Sequence, residues 1–134
     1  METDLIISAI NELHKKANAA LESRDATTYT SIFDESFTYT RADGIKLDKK
    51  DYSNDIERYF RRIKRMETSH YRIKSSFENE VFTEKIARKS IIIRSKLLLL
   101  SKKQTIQTEE IFHWKNIDNE WKVIAVEVVL EEKY

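Results

Sequence analysis

Ile32-Phe33-Asp34-Glu35-Ser36-Phe37-Thr38-Tyr39-Thr40-Arg41-Ala42-Asp43-Gly44-Ile45-Lys46-Leu47-Asp48 is where the chain changes its hydrophobic period. Up to Phe33 the apolar residues fall at helical spacing. From Phe37 to Arg41 the chain alternates with period two and is rich in aromatic and Thr residues, which predicts a strand. Asp43-Gly44 is a strong short hairpin signal, and Ile45 and Leu47 return as a short partner strand. A helical period that gives way once to a strand period predicts an α+β domain.

Toward the N-terminus, Ile6, Ile10, Leu13, Ala17, Ala20 and Leu21 recur three and four residues apart and form one stripe on a helix from Thr3 to about Arg24. Thr3 suits the N-cap, and Asp4 places negative charge where the helix dipole favours it. Asp25 caps a second, short helix whose apolar residues are Tyr29, Ile32 and Phe33. Beyond the hairpin, Asp48 caps a third helix with Tyr52, Ile56, Tyr59, Phe60 and Ile63 on its apolar side. After it helical periodicity stops. Strands are predicted at His70 to Glu78, Lys85 to Leu100, Thr105 to Asn116 and Trp121 to Glu131, the last two joined by a turn over Ile117 to Glu120. Strands this long twist and curl, so the expected architecture is N-terminal helices packed on a strongly curved antiparallel sheet, with a cone-shaped pocket between them.

The 134 residues suffice for one domain, and no repeat or linker marks a second. With 24 Lys and Arg against 23 Asp and Glu, the net charge of +1 supplies no global field for nucleic acid or anionic lipid. The basic cluster Arg58-Tyr59-Phe60-Arg61-Arg62-Ile63-Lys64-Arg65 reads as a solvated helix face, because its aromatics already belong to the core stripe. Cysteine is absent, which excludes disulfides, thiolate nucleophiles and Cys-based metal sites. Proline is absent and Gly44 is the single glycine, which excludes Gly-rich phosphate loops and dinucleotide fingerprints. The acidic start and the early Asn11, Glu12 and Lys15 give no secretory signal, so a cytoplasmic location is expected. Ile91 to Leu100 contains Arg94 and Lys96 and is about half the length a membrane helix needs. No cofactor and no metal site are expected, since no His-x-His or His-Glu-x-x-His spacing occurs.

Ala20-Leu21-Glu22-Ser23-Arg24-Asp25-Ala26, Tyr29, Ile32-Phe33-Asp34-Glu35-Ser36-Phe37-Thr38-Tyr39, Asp43-Gly44 and Asp118-Asn119-Glu120-Trp121-Lys122-Val123-Ile124, in that order, resemble the nuclear transport factor 2-like superfamily over essentially the whole chain. That superfamily includes SnoaL-like polyketide cyclases, ketosteroid isomerase and scytalone dehydratase. The resemblance implies a cystatin-like cone, frequent homodimers, and functions from enzyme to assembly domain. It places the isomerase's oxyanion Tyr near Ala17 and its general base near Arg41. Neither residue can perform those roles, because alanine has no donor and arginine stays protonated. It also turns Ile124, Val126, Val128 and Leu130 toward the pocket and Trp121, Val123 and Glu127 toward a partner.

Glu110, Phe112 and Trp114 share one strand face. Either Glu110 is an acid or base in an apolar pocket, or it pairs with a neighbouring Arg. His113 lies on the opposite face and His70 opens an earlier strand; each is either a satisfied or exposed histidine or half of a His–carboxylate dyad with Asp34, Glu110 or Glu127. Arg41 and Tyr39 at the hairpin mouth either grip a carboxylate or phosphate, or Arg41 pairs with Asp34 or Glu35. Ile91-Ile92-Ile93 and Leu97-Leu98-Leu99-Leu100 put apolar residues on both strand faces, which predicts a second copy of the chain against the convex side.

Three functions stay open. The first is a small-ligand domain holding an apolar or carboxylate-bearing molecule among Tyr39, Arg41, Glu110, Phe112, Trp114, Ile124, Val126 and Val128. The second is a SnoaL-like lyase, isomerase or cyclase using Glu110, His113 or His70. The third is an assembly or regulatory domain with a vestigial pocket. Pocket-facing His–carboxylate pairs favour the enzyme, an open pocket without them the binder, and a pocket filled by its own side chains the assembly domain.

Overall fold

The computed structural model describes residues 2–95 and 101–134. Helix α1 (Glu2–Ser23) buries Ile6, Ile10, Ala17, Ala20 and Leu21 on one side, as the stripe requires. Thr3, expected as its cap, lies inside the helix. The short α2 (Ala26–Thr30) is capped by Asp25, whose carboxylate accepts from the backbone N–H of Thr28 at 3.1 Å. It stops before Ile32 and Phe33, which the sequence assigns to it. The Ile32 carbonyl instead accepts from the Val123 N–H at 2.9 Å and draws Phe33 into the sheet.

Strand β1 (Phe33–Thr40) and β2 (Lys46–Asp48) form the expected hairpin around Asp43-Gly44. Helix α3 (Lys49–Arg62) follows, with the Asp48 side chain accepting from Asp51 N–H at 2.8 Å. Four long strands complete the chain: β3 (Ile63–Glu78), β4 (Val81–Ser95), β5 (Ser101–Ile117) and β6 (Glu120–Lys133). The turns at Asn79-Glu80 and Asp118-Asn119 put both central residues at positive φ, the geometry whose twist matches two antiparallel strands. The predicted apolar run Leu97 to Leu100 lies outside the described residues.

The sheet order is β2-β1-β6-β5-β4-β3. Every pairing is antiparallel except β1 with β6, which is parallel, so the sheet is mixed at one point. The connection through α3 explains this: it carries the chain from one sheet edge to the other, and the meander from β3 returns to meet β1 from the far side.

Register shifts interrupt the ladders between Ile63 and Arg65, Arg72 and Lys74, Glu109 and Glu110, and His113 and Trp114. Such bulges bend a strand and exchange the faces of the residues that follow. In β6, Val123 faces Trp114 and Ala125 faces His113, so Ile124 has no counterpart. Val123 is therefore buried in the core, where the resemblance had turned it toward a partner, and Ile124 drops out of the inward row. The same effect at Ile63 and Arg65 hides the start of β3, which the sequence places at His70.

The inner face packs its Phe82, Ile86, Trp114 and Val123 end against α1, together with Phe33 and Phe37, whose rings stack at 4.3 Å. A second cluster of Leu21, Phe60, Ile63, Met66 and Ile92 joins α1, α3 and the far end of the sheet. Arg58, Arg61, Arg62, Lys64 and Arg65 are exposed. The outer face carries exposed Tyr71 and Leu130. No helix among the described residues is long and apolar enough to cross a membrane.

Gly44 sits at φ +88 and a Cβ there would meet nothing within 4 Å. Gly44→Ala is therefore expected to cost only backbone strain, about 1–2 kcal/mol, read as a lowered urea midpoint with unchanged slope.

Candidate functional site

The inner face is not uniformly apolar. Glu84 lies between Phe82 and Ile86 on β4 and is 1 % exposed. His14, on the apolar face of α1 between Ile10 and Ala17, is 2 % exposed and gives its Nε2 proton to Glu84 Oε2 at 2.6 Å. Trp114 Nε1 donates to the same oxygen at 2.7 Å, and Arg72 Nε donates to Oε1 at 2.8 Å. Burial opposes ionisation of Glu84, but the bonds and charges of His14, Arg72 and Trp114 outweigh it and hold the carboxyl below its ordinary pKa of 4.5. His14 Nδ1 has no hydrogen-bond partner.

A polar seam runs from this cluster along the sheet. The His70 ring lies 4.5 Å from that of His14. Arg88 Nη1 donates to Asn18 Oδ1 at 2.9 Å, and an arginine only donates, so the Asn18 amide nitrogen must face His70 Nδ1, 3.0 Å away. His70 Nδ1 is thereby an acceptor, and its proton resides on Nε2. Burial first, then the charges of His14 and Arg88, press the His70 pKa down to about 4. Arg88 also donates to Thr68 Oγ1 at 3.0 Å and to Glu110 Oε1 at 3.3 Å, while Thr108 Oγ1 donates to Glu110 Oε2 at 2.6 Å.

Beyond Glu110 the inner face opens into a cavity of about 260 Å³ between the sheet and α2 and α3. Tyr29 of α2 and Tyr52 of α3 bring their hydroxyls to 3.0 Å, and the Tyr39 ring of β1 stacks on Tyr52 with centroids 4.1 Å apart. Burial raises the pKa of all three phenols, so they keep their protons. Phe112 and Val126 form the apolar floor, beside the Arg88–Glu110 pair. No histidine lines this cavity among the described residues.

The candidates from sequence divide accordingly. Tyr39, Glu110, Phe112 and Val126 line the cavity. Glu110 takes the ion-paired alternative, its partner being Arg88 from the adjacent strand. Trp114 and Val128 are buried but outside the cavity wall, Trp114 being committed to Glu84. Ile124 is also outside the wall, because of the β6 bulge. Arg41 is no pocket anchor: it lies past the end of β1 on the half-exposed hairpin and pairs with Asp43 at 2.9 Å, not with Asp34 or Glu35. His113 bonds Thr83 at 3.2 Å and approaches Glu127 to 3.5 Å, away from the cavity. His70 meets His14 and Asn18, and none of the carboxylates considered for it. Ala17 is a buried core residue.

The buried pair of His14 and Glu84 was missed from sequence. Two signals were present: His14 lies at Ile10 plus four on the core stripe, and Glu84 interrupts the inward alternation Phe82, Ile86.

No protein-family model matches the chain, and no curated protein matches it. Solved structures do. A scytalone dehydratase-like protein from Novosphingobium aromaticivorans superposes with a TM-score of 0.85 at 14% identity, over 99% of this chain and 91% of that one. A nuclear transport factor 2-like superfamily protein from Salmonella enterica gives 0.78 at 11%, over 94% and 91%. A hexachlorocyclohexane dehydrochlorinase gives 0.77 at 10%, over 100% and 93%. Identities this low establish a shared fold: the chain has the nuclear transport factor 2-like, cystatin-like α+β fold.

Two outcomes follow from the buried network. Glu84→Ala leaves Arg72, His14 and Trp114 without their acceptor and is expected to cost about 3–5 kcal/mol in urea unfolding. His70 has a folded pKa of about 4 against 6.5 in the open chain, so its contribution is intact above 6.5 and is lost as pH falls toward 4. Melting temperatures are expected to fall across that window, and His70→Gln to flatten the fall; an unchanged slope in the variant contradicts the assignment.

Proposed function

We propose that this domain binds a small, largely apolar organic molecule in the cavity bounded by Tyr29, Tyr39, Tyr52, Phe112 and Val126. The observation that carries this reading is the pairing of an open cavity with a sealed His–carboxylate cluster. Glu84 and His14 are almost fully buried and absent from the cavity wall; among the described residues no histidine stands on that wall, and its two carboxylates, Glu110 and Glu131, are each ion-paired. What faces the cavity is mostly hydrocarbon and phenol rings with protonated hydroxyls, with the Arg88–Glu110 pair on the sheet side and Arg94, Glu131 and Lys133 as its further charges. That is the composition of a recognition site, with a few polar groups to orient a ligand and apolar surface to hold it.

The size supports a modest ligand. An apolar cavity of about 150 Å³ accommodates benzene, so about 260 Å³ holds a ring with a short substituent. The aromatic posts also explain why the space persists. Tyr52 is braced by the Tyr29 hydroxyl and the Tyr39 ring, and stacked or edge-on aromatic contacts add about 0.5–1.5 kcal/mol each beyond burial.

A thermal-shift series with small aromatic compounds tests this. A compound present at a hundred times its dissociation constant is expected to stabilise the fold by about 2.7 kcal/mol. Ile106→Trp, which fills the cavity from β5, is expected to abolish that shift without lowering the unliganded melting temperature. Compounds recovered unchanged by NMR after incubation agree with a binder; steady conversion of the compound, or shifts that survive Ile106→Trp, contradict the proposal.

A further inference from the structure

Among the described residues, charge on the cavity wall does not balance. Arg88, Arg94 and Lys133 line it, against Glu110 and Glu131. Arg88 pairs with Glu110 at 3.3 Å and Lys133 with Glu131 at 3.6 Å, which leaves Arg94 over. Among the described residues Arg94 has no carboxylate partner. Its Nη2 reaches Gln104 Oε1 only at 3.4 Å, its Nε is buried without an acceptor, and its guanidinium sits 5.9 Å from the Tyr59 ring centroid, where its charge and a hydrogen bond oppose the burial that raises the Tyr59 pKa.

An arginine always carries its charge and offers five N–H donors in a planar fork. A charged fork on a cavity wall whose partners, Gln104 and Tyr59, are both neutral is a costly arrangement unless an anion completes it. The rest of the wall says what that something is. One cation is in excess, so one negative charge neutralises the site, whereas a doubly charged phosphate would bring its second charge against Glu110 and Glu131. A carboxylate is the planar anion that a guanidinium receives side-on, through two parallel N–H···O bonds.

Position settles the rest. Lys133 and Glu131 are half-exposed and mark the open end, and Arg94 stands on that side with Gln104 and Ile106. Tyr52 and Phe112 are buried at the closed end. We infer that the cavity takes a monoanionic aromatic acid, its ring among Tyr29, Tyr39 and Tyr52 and its carboxylate received at the open end by Arg94. This rests on the cavity being a ligand site, and it moves the anion anchor from the hairpin residue Arg41 to the strand residue Arg94.

Calorimetric titration of the full chain with phenylpropanoate and with its neutral counterpart phenylpropanamide tests the inference. The acid is expected to bind roughly tenfold to hundredfold more tightly than the amide, the range of a charge-assisted bond. Arg94→Gln is expected to bring the acid down to the affinity of the amide while the amide binds as before, which also shows that the variant is folded. Arg94→Lys is expected to retain part of the preference. Equal binding of acid and amide to the unaltered protein overturns the inference and leaves the cavity reading standing, as does a preference that survives Arg94→Gln. Failure of both compounds also overturns it; the cavity reading then falls only if uncharged aromatics give no shift that Ile106→Trp removes.

Discussion

Glu84 draws its three donors from three elements: His14 from α1, Arg72 from β3 and Trp114 from β5. A carboxylate taken so far from water costs several kcal/mol unless each oxygen is well bonded. The position and rotation of α1 over the sheet are therefore set to within a hydrogen bond's tolerance. Ile6 and Ile10 are seated on one side of this clamp, and Asn18 is delivered on the other to meet Arg88 and His70. With α1 fixed over one end of the inner face, the other end is left to α2 and α3.

Of those two helices α2 has only five residues, and aromatic side chains from both stand over the space. Tyr29 and Tyr52 meet through their hydroxyls and brace the space they enclose, and Tyr39 buttresses Tyr52 from the sheet. The two bulges in β6, opposite β5, complete the arrangement by bending that strand around the opening and by turning Val123, Val126 and Val128 inward along it. Core and cavity thus share a single curled face, divided by the seam of His70, Asn18, Arg88 and Glu110.

The α+β class, the three helices and the strand order along the chain were legible because they rest on local signals: the period change at Phe37, the Asp25 and Asp48 caps, and Asp43-Gly44. The parallel contact of β1 with β6 depends on how α3 crosses the sheet, which no local pattern encodes. Site residues were legible where alternation holds, as for Glu110 and Phe112, and were lost where a bulge inverts it, as for Ile124 and Val123. The turn at Asn79-Glu80 escaped because glutamate is an unusual residue at positive φ. Arg88 and Arg94 escaped for another reason: an arginine on a strand looks the same in sequence whether it meets solvent or a carboxylate across the sheet.

The central claim is that the space between Tyr29, Tyr52 and the curled sheet is a standing cavity able to receive a molecule. A crystal structure of the protein soaked with a bromine-substituted small aromatic measures this most directly. The account predicts an anomalous bromine peak enclosed by Tyr39, Tyr52, Phe112 and Val126, with the tyrosine pair in place. A cavity closed by its own side chains, with bromine found only on the outer surface, would contradict it.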